Sequence, residues 1–417
     1  NYRNIKMDNI KIVKNVHKYD NSKICNKLDI IKYISKNQGI LHRYIKNNDN
    51  NQYIYKFLDN LDKYNNLEIC DWLDIYGKKL NQIIYNLIRN KNLPTHMLEN
   101  INDSCLYGDF ISLKILDDIN TNINTSQNLK INYYNFNIDL TVNFKKKLFR
   151  KQIELFIKRC LILSILHNNS KNIYLDLWLT DNKKLIPKNY KILTQKEINS
   201  GLTSFGYMDT KTTIYRKEEI NKLIIHELIH YLDLDFKYEL EFNVSKYFNI
   251  KPDEFRIYES YTEINACIIN CILCSYETTG KKNFNLFKKY LNYEIKFNLF
   301  QTAKILVFYG FEDIYEFIKP YDGKYKFKQN TSVFSYFFIK TALLFGIDEY
   351  FKFMEKCCNN FKFLNNEINT KKFIELIIKI TKNQLFIKNL QIFMNYIREY
   401  KITKNILETL RMTCVEI

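Results

Sequence analysis

No apolar run in this chain of 417 residues approaches the roughly 18 to 20 needed to cross a bilayer. The opening stretch Asn1-Tyr2-Arg3-Asn4 also lacks the hydrophobic core of a secretory signal. Membrane insertion and signal-directed secretion are therefore not expected, and a reducing cytoplasm is the expected setting for the 10 cysteines. The sequence starts without Met, which leaves open whether residues precede Asn1. Glycine, proline and tryptophan are scarce, at 9, 4 and 2 copies, while Lys, Asn, Ile, Tyr and Phe abound, the bias of an A/T-rich coding sequence. The net charge of +18 is partly a product of that bias. It allows non-specific contact with nucleic acid or an acidic surface and specifies no partner.

A further absence concerns metals. Cys271-Ile272-Leu273-Cys274 matches CxxC, but no second pair stands at structural-zinc spacing. Cys267, Cys271 and Cys274 recur at i, i+4 and i+7, so they read as small apolar side chains on the inward face of a helix. The densest basic run, Lys145-Lys146-Lys147-Leu148-Phe149-Arg150-Lys151, opens a helical pattern whose apolar stripe is Phe149, Ile153, Phe156, Cys160 and Leu163. It reads as that helix's solvated end.

What is present is His226-Glu227-Leu228-Ile229-His230, the HExxH pattern. On a helix, i and i+4 share one face, so both imidazoles can reach a single Zn²⁺ while Glu227 faces the attacking water. Leu223, Ile224, Ile225, Leu228, Ile229 and Leu232 make the other faces apolar, as in a helix through a core. Catalytic zinc needs a third protein ligand. A His six residues beyond His230 is excluded, because Phe236 stands there and Asp233 occupies the place of the expected glycine; this is not a metzincin pattern. The next helical segment, Asp253 to Glu277, carries Glu259-Ser260-Tyr261-Thr262-Glu263, the ExxxE form of the signature of glutamate-ligand zincins. Glu259 is read as the third ligand and Glu263 as the carboxylate that orients a ligating imidazole. Asp233, Asp235, and Glu263 as a direct ligand remain open alternatives.

Four runs carry a resemblance: Glu197-Ile198-Asn199-Ser200-Gly201-Leu202-Thr203, Ile214-Tyr215-Arg216-Lys217-Glu218-Glu219, the HExxH segment, and Tyr258-Glu259-Ser260-Tyr261-Thr262-Glu263. Together they resemble the HExxH metallopeptidases of large nucleocytoplasmic DNA viruses, over residues 170 to 275, about a quarter of the chain. The resemblance implies His226, His230 and Glu259 as zinc ligands and Glu227 as catalytic base. It implies a host-cell cytoplasmic location, with the virion as a second one.

Periodicity suggests the organisation. Ile24 to Ile119 reads as short helices, and Asn120 to Asn128, rich in Asn, Thr and Ser, as a linker. Ile131 to Val142 is rich in strand formers, Lys145 to His167 reads as a helix, and Ile173 to Leu179 and Thr212 to Tyr215 read as strands. Beyond Thr278-Thr279-Gly280 the pattern is helical to the end, with Phe373, Leu376, Ile377 and Ile380 on one stripe. The expected fold is α+β, predominantly helical. It comprises a helical region over 1–128, a zincin-like core over 129–280 with a small twisted sheet over the HExxH helix, and a helical region over 281–417 closing the cleft.

The expected activity is zinc-dependent hydrolysis of a protein or peptide, with Glu227 as general base and an endopeptidase as the first expectation. All other His precede the motif, at positions 17, 42, 96 and 167, so the downstream His of thermolysin-like enzymes is absent. Tyr258, Tyr261 or Arg256 are the candidates to stabilise the oxyanion, and an edge strand within Ser200 to Tyr215 the candidate to pair with substrate. The competing readings are an inactive metal-binding particle component and a basic nucleic-acid-binding protein.

Overall fold

The computed structural model describes residues 111–416 apart from 134–135, 146–149, 168, 189–191, 206–209, 238–243, 251–255, 280–282, 324–325, 360 and 400–403. Most of the helical pattern expected before Ile119, and Lys146 to Phe149 of the basic run, lie outside these residues. The fold is mixed α and β, mainly helical, around one five-stranded mixed sheet.

The sheet has the order β1-β2-β3-β5-β4. Strands β1 (Thr125–Tyr133) and β2 (Phe136–Phe144) form an antiparallel hairpin in register from Thr125 opposite Phe144 to Tyr133 opposite Phe136. Along β2, Phe136, Ile138, Leu140, Val142 and Phe144 are buried at every second position, which fixes the face the strand turns to the core. A helix, α2 (Arg150–Leu166), crosses over to β3 (Ile173–Trp178), parallel to β2. The short helix α3 (Gln195–Ile198) then precedes β4 (Gly201–Phe205), which lies antiparallel to β5 (Thr210–Ile214) and forms the edge; β5 runs parallel to β3.

The stretch expected as a linker is ordered secondary structure. Helix α1 (Leu113–Asn122) ends in it and β1 begins in it. Ile111, Ile115, Ile119 and Ile123, four apart, form an apolar stripe that packs with Tyr215, Trp178 and Leu202 at the end of the sheet. The Asn and Thr between these isoleucines are merely the other faces. The sequence boundary at 128/129 thus falls inside a strand. At the other boundary, helix α5 (Ile257–Thr279) is followed by α6 (Phe284–Phe308), and the buried side chains of both belong to the same core as the sheet.

Helix α4 (Ile220–Tyr231) packs on β4 and β5, α2 and α5 at once, and every residue of it except His230 is buried. After α6 come a π-helical turn (Phe334–Ile339) running into α7 (Lys340–Phe345), then α8 (Ile347–Cys357), the two-residue strands β6 (Cys358–Asn359) and β7 (Lys362–Phe363), α9 (Glu367–Thr381), α10 (Gln384–Glu399) and α11 (Lys404–Glu408).

The helical expectation fails at the last segment. Residues 409–415 form an extended strap, with Leu410, Met412, Thr413, Cys414 and Val415 buried in the core. Its backbone is satisfied by buried side chains rather than a helix ladder. Glu219 accepts from the amides of Met412 and Thr413, Lys340 donates to the Met412 carbonyl at 2.7 Å, and Asn270 to that of Val415 at 2.8 Å. Glu219 caps α4 in the left-handed region at φ 63°, a conformation disfavoured for a residue with a Cβ, and its carboxylate also pairs with buried Lys184 at 2.9 Å.

His167 follows α2, and its Nε2 is buried without a hydrogen-bond partner. Burial, with Lys362 nearby, pushes its pKa from 6.5 down to about 4. The unfolded chain therefore takes up a proton near 6.5 that the folded chain refuses until about 4. This residue's contribution is present above that window and lost as pH falls through it, by on the order of 3 kcal/mol. We expect His167→Leu to flatten the acid limb of stability in urea titrations at neutral and mildly acidic pH; equal acid losses in both proteins would contradict this.

Candidate metal centre

Helix α4 presents His226 and His230 on the face turned to α5, and Glu259 lies in the first turn of α5. Three atoms meet there. His226 Nε2 is 3.3 Å from His230 Nε2, and Glu259 Oε2 is 3.5 Å and 3.4 Å from them respectively. Donors at about 2.0–2.2 Å from a tetrahedral ion stand about 3.3–3.6 Å apart, so this triangle has the size of one face of a zinc coordination shell. Glu259 Oε2 is buried and accepts no hydrogen bond, an orphan that a cation would satisfy. The residues present thus fit a metal.

The opposite nitrogen of each imidazole is held by a carboxylate. His226 Nδ1 lies 2.8 Å from Glu263 Oε2, and His230 Nδ1 2.6 Å from Asp235 Oδ2. Donation from Nδ1 leaves the Nε2 lone pairs aimed at the centre. Burial opposes protonation of both histidines, but Glu259 and Glu263 at His226, and Glu259 and Asp235 at His230, outweigh it and raise both pKa values. Burial likewise works against a charged Glu259, yet the two imidazoles hold its carboxyl well below the usual range. The cluster therefore demands positive charge at its middle.

This geometry sorts the alternatives. Asp235 reaches the outer side of His230 and is not placed with the three donors. Asp233 is half-exposed and pairs with Lys237 at 2.8 Å. Glu263 is spent on His226, on Lys222, and on Lys340 at 3.3 Å, so it stands behind the centre. Burial disfavours its charge, but those two lysines hold its pKa well below the ordinary value.

Glu227 faces the sheet. Its Oε2 accepts from Thr203 Oγ1 of β4 at 2.8 Å, and Thr203 in turn lies 3.0 Å from Thr212 Oγ1 of β5. Its Oε1 fits against the α-carbon of Gly201: a Cβ there would meet it at 3.0 Å and the Thr213 carbonyl at 3.0 Å. A Cβ would crowd both neighbours, so glycine suits the close approach here.

Of the three residues considered for the oxyanion, Tyr261 is turned away, its hydroxyl donating to the Phe361 carbonyl at 2.8 Å. Arg256 is exposed beside Tyr258. Tyr258 stays near the centre, its ring 6.0 Å from that of His230. The sequence reading missed Tyr336, whose ring lies 6.1 Å from His226. Burial, then Glu259, Glu227 and Glu263, raise its pKa well above the ordinary value, so it stays a protonated donor. It sits on the π-helical turn, a distortion common at functional sites. Among 32 tyrosines nothing in the sequence marks it. Thr203 was also missed, although it lies within the expected edge-strand segment.

No family model matches the chain. It is similar to "Uncharacterized protein R210" of Acanthamoeba polyphaga mimivirus, 31% identical over 212 residues, covering 47% of this chain and 52% of that protein. The chain thus spans about half the length of this relative. No solved structure matches. No described helix is long and apolar enough to cross a membrane.

Proposed function

We propose that the chain is a zinc-dependent metallopeptidase with a zincin-like core of the glutamate-ligand type, acting on a protein or peptide. One observation carries the reading: Nε2 of His226, Nε2 of His230 and Oε2 of Glu259 stand 3.3–3.5 Å apart beside a carboxylate, Glu227, on the same helix. Bound there, Zn²⁺ would supply Lewis-acid polarisation of a scissile carbonyl and a lowered pKa for water.

The chain's own residues supply the rest. Glu227, anchored by Thr203, accepts the proton of the attacking water and returns it to the leaving amine. Tyr336 donates to the developing oxyanion, with Tyr258 as the other donor in reach. Strand β4 is the sheet edge beside α4, suited to pair with an extended peptide; this supports a polypeptide substrate. The mimivirus relative supports a viral setting, in the host cytoplasm or the particle.

The test is a broad peptide library incubated with the zinc-loaded chain, a chelated sample, and a chelated sample resupplied with zinc. Cleavage lost and regained with the metal is expected. A chain that binds zinc and cleaves nothing leaves the reading of an inactive particle component. Gly201→Ala should cut the rate more than about tenfold while leaving zinc stoichiometry unchanged, because the added Cβ would crowd Glu227 Oε1 and displace the carboxylate. An unaffected rate would remove Glu227's seat from the account.

A further inference from the structure

Glu259, Glu263, Cys267 and Cys271 follow one another at intervals of four along α5, so one ridge of that helix carries all four. The first two belong to the centre already described. The second two meet Glu294 of α6, and the ligating atoms of Cys267, Cys271 and Glu294 all lie within 4.8 Å of one another. All three residues are at most 1% exposed. The backbone amide of Cys414 in the strap donates to Glu294 at 2.8 Å. Two consecutive helices thus bring two thiols to one buried carboxylate, which the strap braces from the other side.

We propose that Cys267, Cys271 and Glu294 form a second metal site, structural in role and selective for a thiophilic divalent cation such as Zn²⁺. Thiolate sulfur and carboxylate oxygen are both donors that zinc takes in tetrahedral geometry, and thiolates favour thiophilic cations. Glu294 is braced as a ligating carboxylate must be: Oε1 accepts from Thr413 Oγ1 and from the amides of Cys414 and Val415, both at 2.8 Å, and Oε2 from Asn298 at 3.1 Å. The i, i+4 thiols mirror the i, i+4 imidazoles of the first centre.

Charge balance favours the exchange. Lys222 and Lys340 both pair with Glu263, while burial raises the pKa of Glu294. Burial raises the pKa of Cys271 well above the ordinary value; at Cys267 the hydrogen bond from Cys271 works downward, but burial and Glu294 prevail. Both thiols are therefore neutral without a cation. When Zn²⁺ binds, each loses one proton to solvent, two S–H bonds break, two metal–sulfur bonds form, and the buried net charge is unchanged. No electron is transferred. The site would tie α5 and α6 together.

The test uses the full chain under reducing conditions, titrated with Co²⁺, whose bonds to thiolate give a near-ultraviolet charge-transfer band. Wild type should bind two equivalents and show the band. His226→Ala/His230→Ala should bind one and keep it, whereas Cys267→Ala/Cys271→Ala should bind one and lose it. Cys25, Cys70 and Cys105 lie outside the described residues, so the band must be assigned by the variant and not by wild type alone. If the double cysteine variant does not fold, each single alanine variant is read instead and should lose about half of the band. A wild-type chain without the band, or a band undiminished in the cysteine variants, overturns the site. Failure of the first centre looks different: one equivalent, with the band intact.

Discussion

Glu227→Gln is expected to bind zinc with wild-type stoichiometry and to cleave peptides about 10²- to 10⁴-fold more slowly, the usual worth of a positioned general base. The substitution keeps the shape of the side chain, and its amide oxygen can still accept from Thr203. His226, His230 and Glu259 are untouched, so metal content serves as the control for folding. What is lost is only the capacity to take a proton. Equal cleavage by the two proteins would place the base elsewhere; equal inertness on broad libraries would leave the metal centre without a reaction.

The second large effect concerns stability. Glu219→Gln removes the charge facing Lys184, which is about 1% exposed and pairs with Glu219 at 2.9 Å. Burial already lowers the pKa of Lys184, with Glu219 as its main support. The glutamine oxygen can still accept the amides of Met412 and Thr413, while its NH₂ faces Lys184 in place of the carboxylate oxygen that accepted from it. A buried ammonium left without its partner costs about 3–5 kcal/mol, measurable by urea denaturation. Adding Lys184→Met should recover much of that loss, since the uncompensated charge disappears with it. A single variant within about 0.5 kcal/mol of wild type would mean that water reaches Lys184.

Helix α4 was legible because its chemistry is local: two His four apart, a Glu between them, and apolar residues on the remaining faces. Glu259 and Glu263 were legible by the same rule on the next long helix, and the structure places them on either side of His226 as that spacing suggested. The hairpin β1–β2 was not resolved, because no Gly or Pro between the strands marks a turn and Ile131 to Val142 reads as one stretch. Asn120 to Asn128 misled for the opposite reason: its polar composition masks Ile119 and Ile123, whose burial depends on Tyr215, almost a hundred residues away. Tyr336, and Lys340 behind Glu263, are placed by tertiary packing alone. Asp235 was weighed as a ligand because sequence spacing cannot tell which nitrogen of His230 a carboxylate will reach.

The strap has a temporal consequence. The contacts joining Glu219 to Met412 and Thr413 span 193 and 194 residues, and those from Lys340 and Glu294 reach the same stretch. Loops of that length close late, after local helices have formed. As the polypeptide leaves the ribosome, the HExxH segment emerges long before the residues that brace its surroundings. On the peptidase reading proposed above, a nascent molecule would carry the HExxH residues without the frame that aligns them, and so be spared from attacking itself or its neighbours until synthesis has passed Val415.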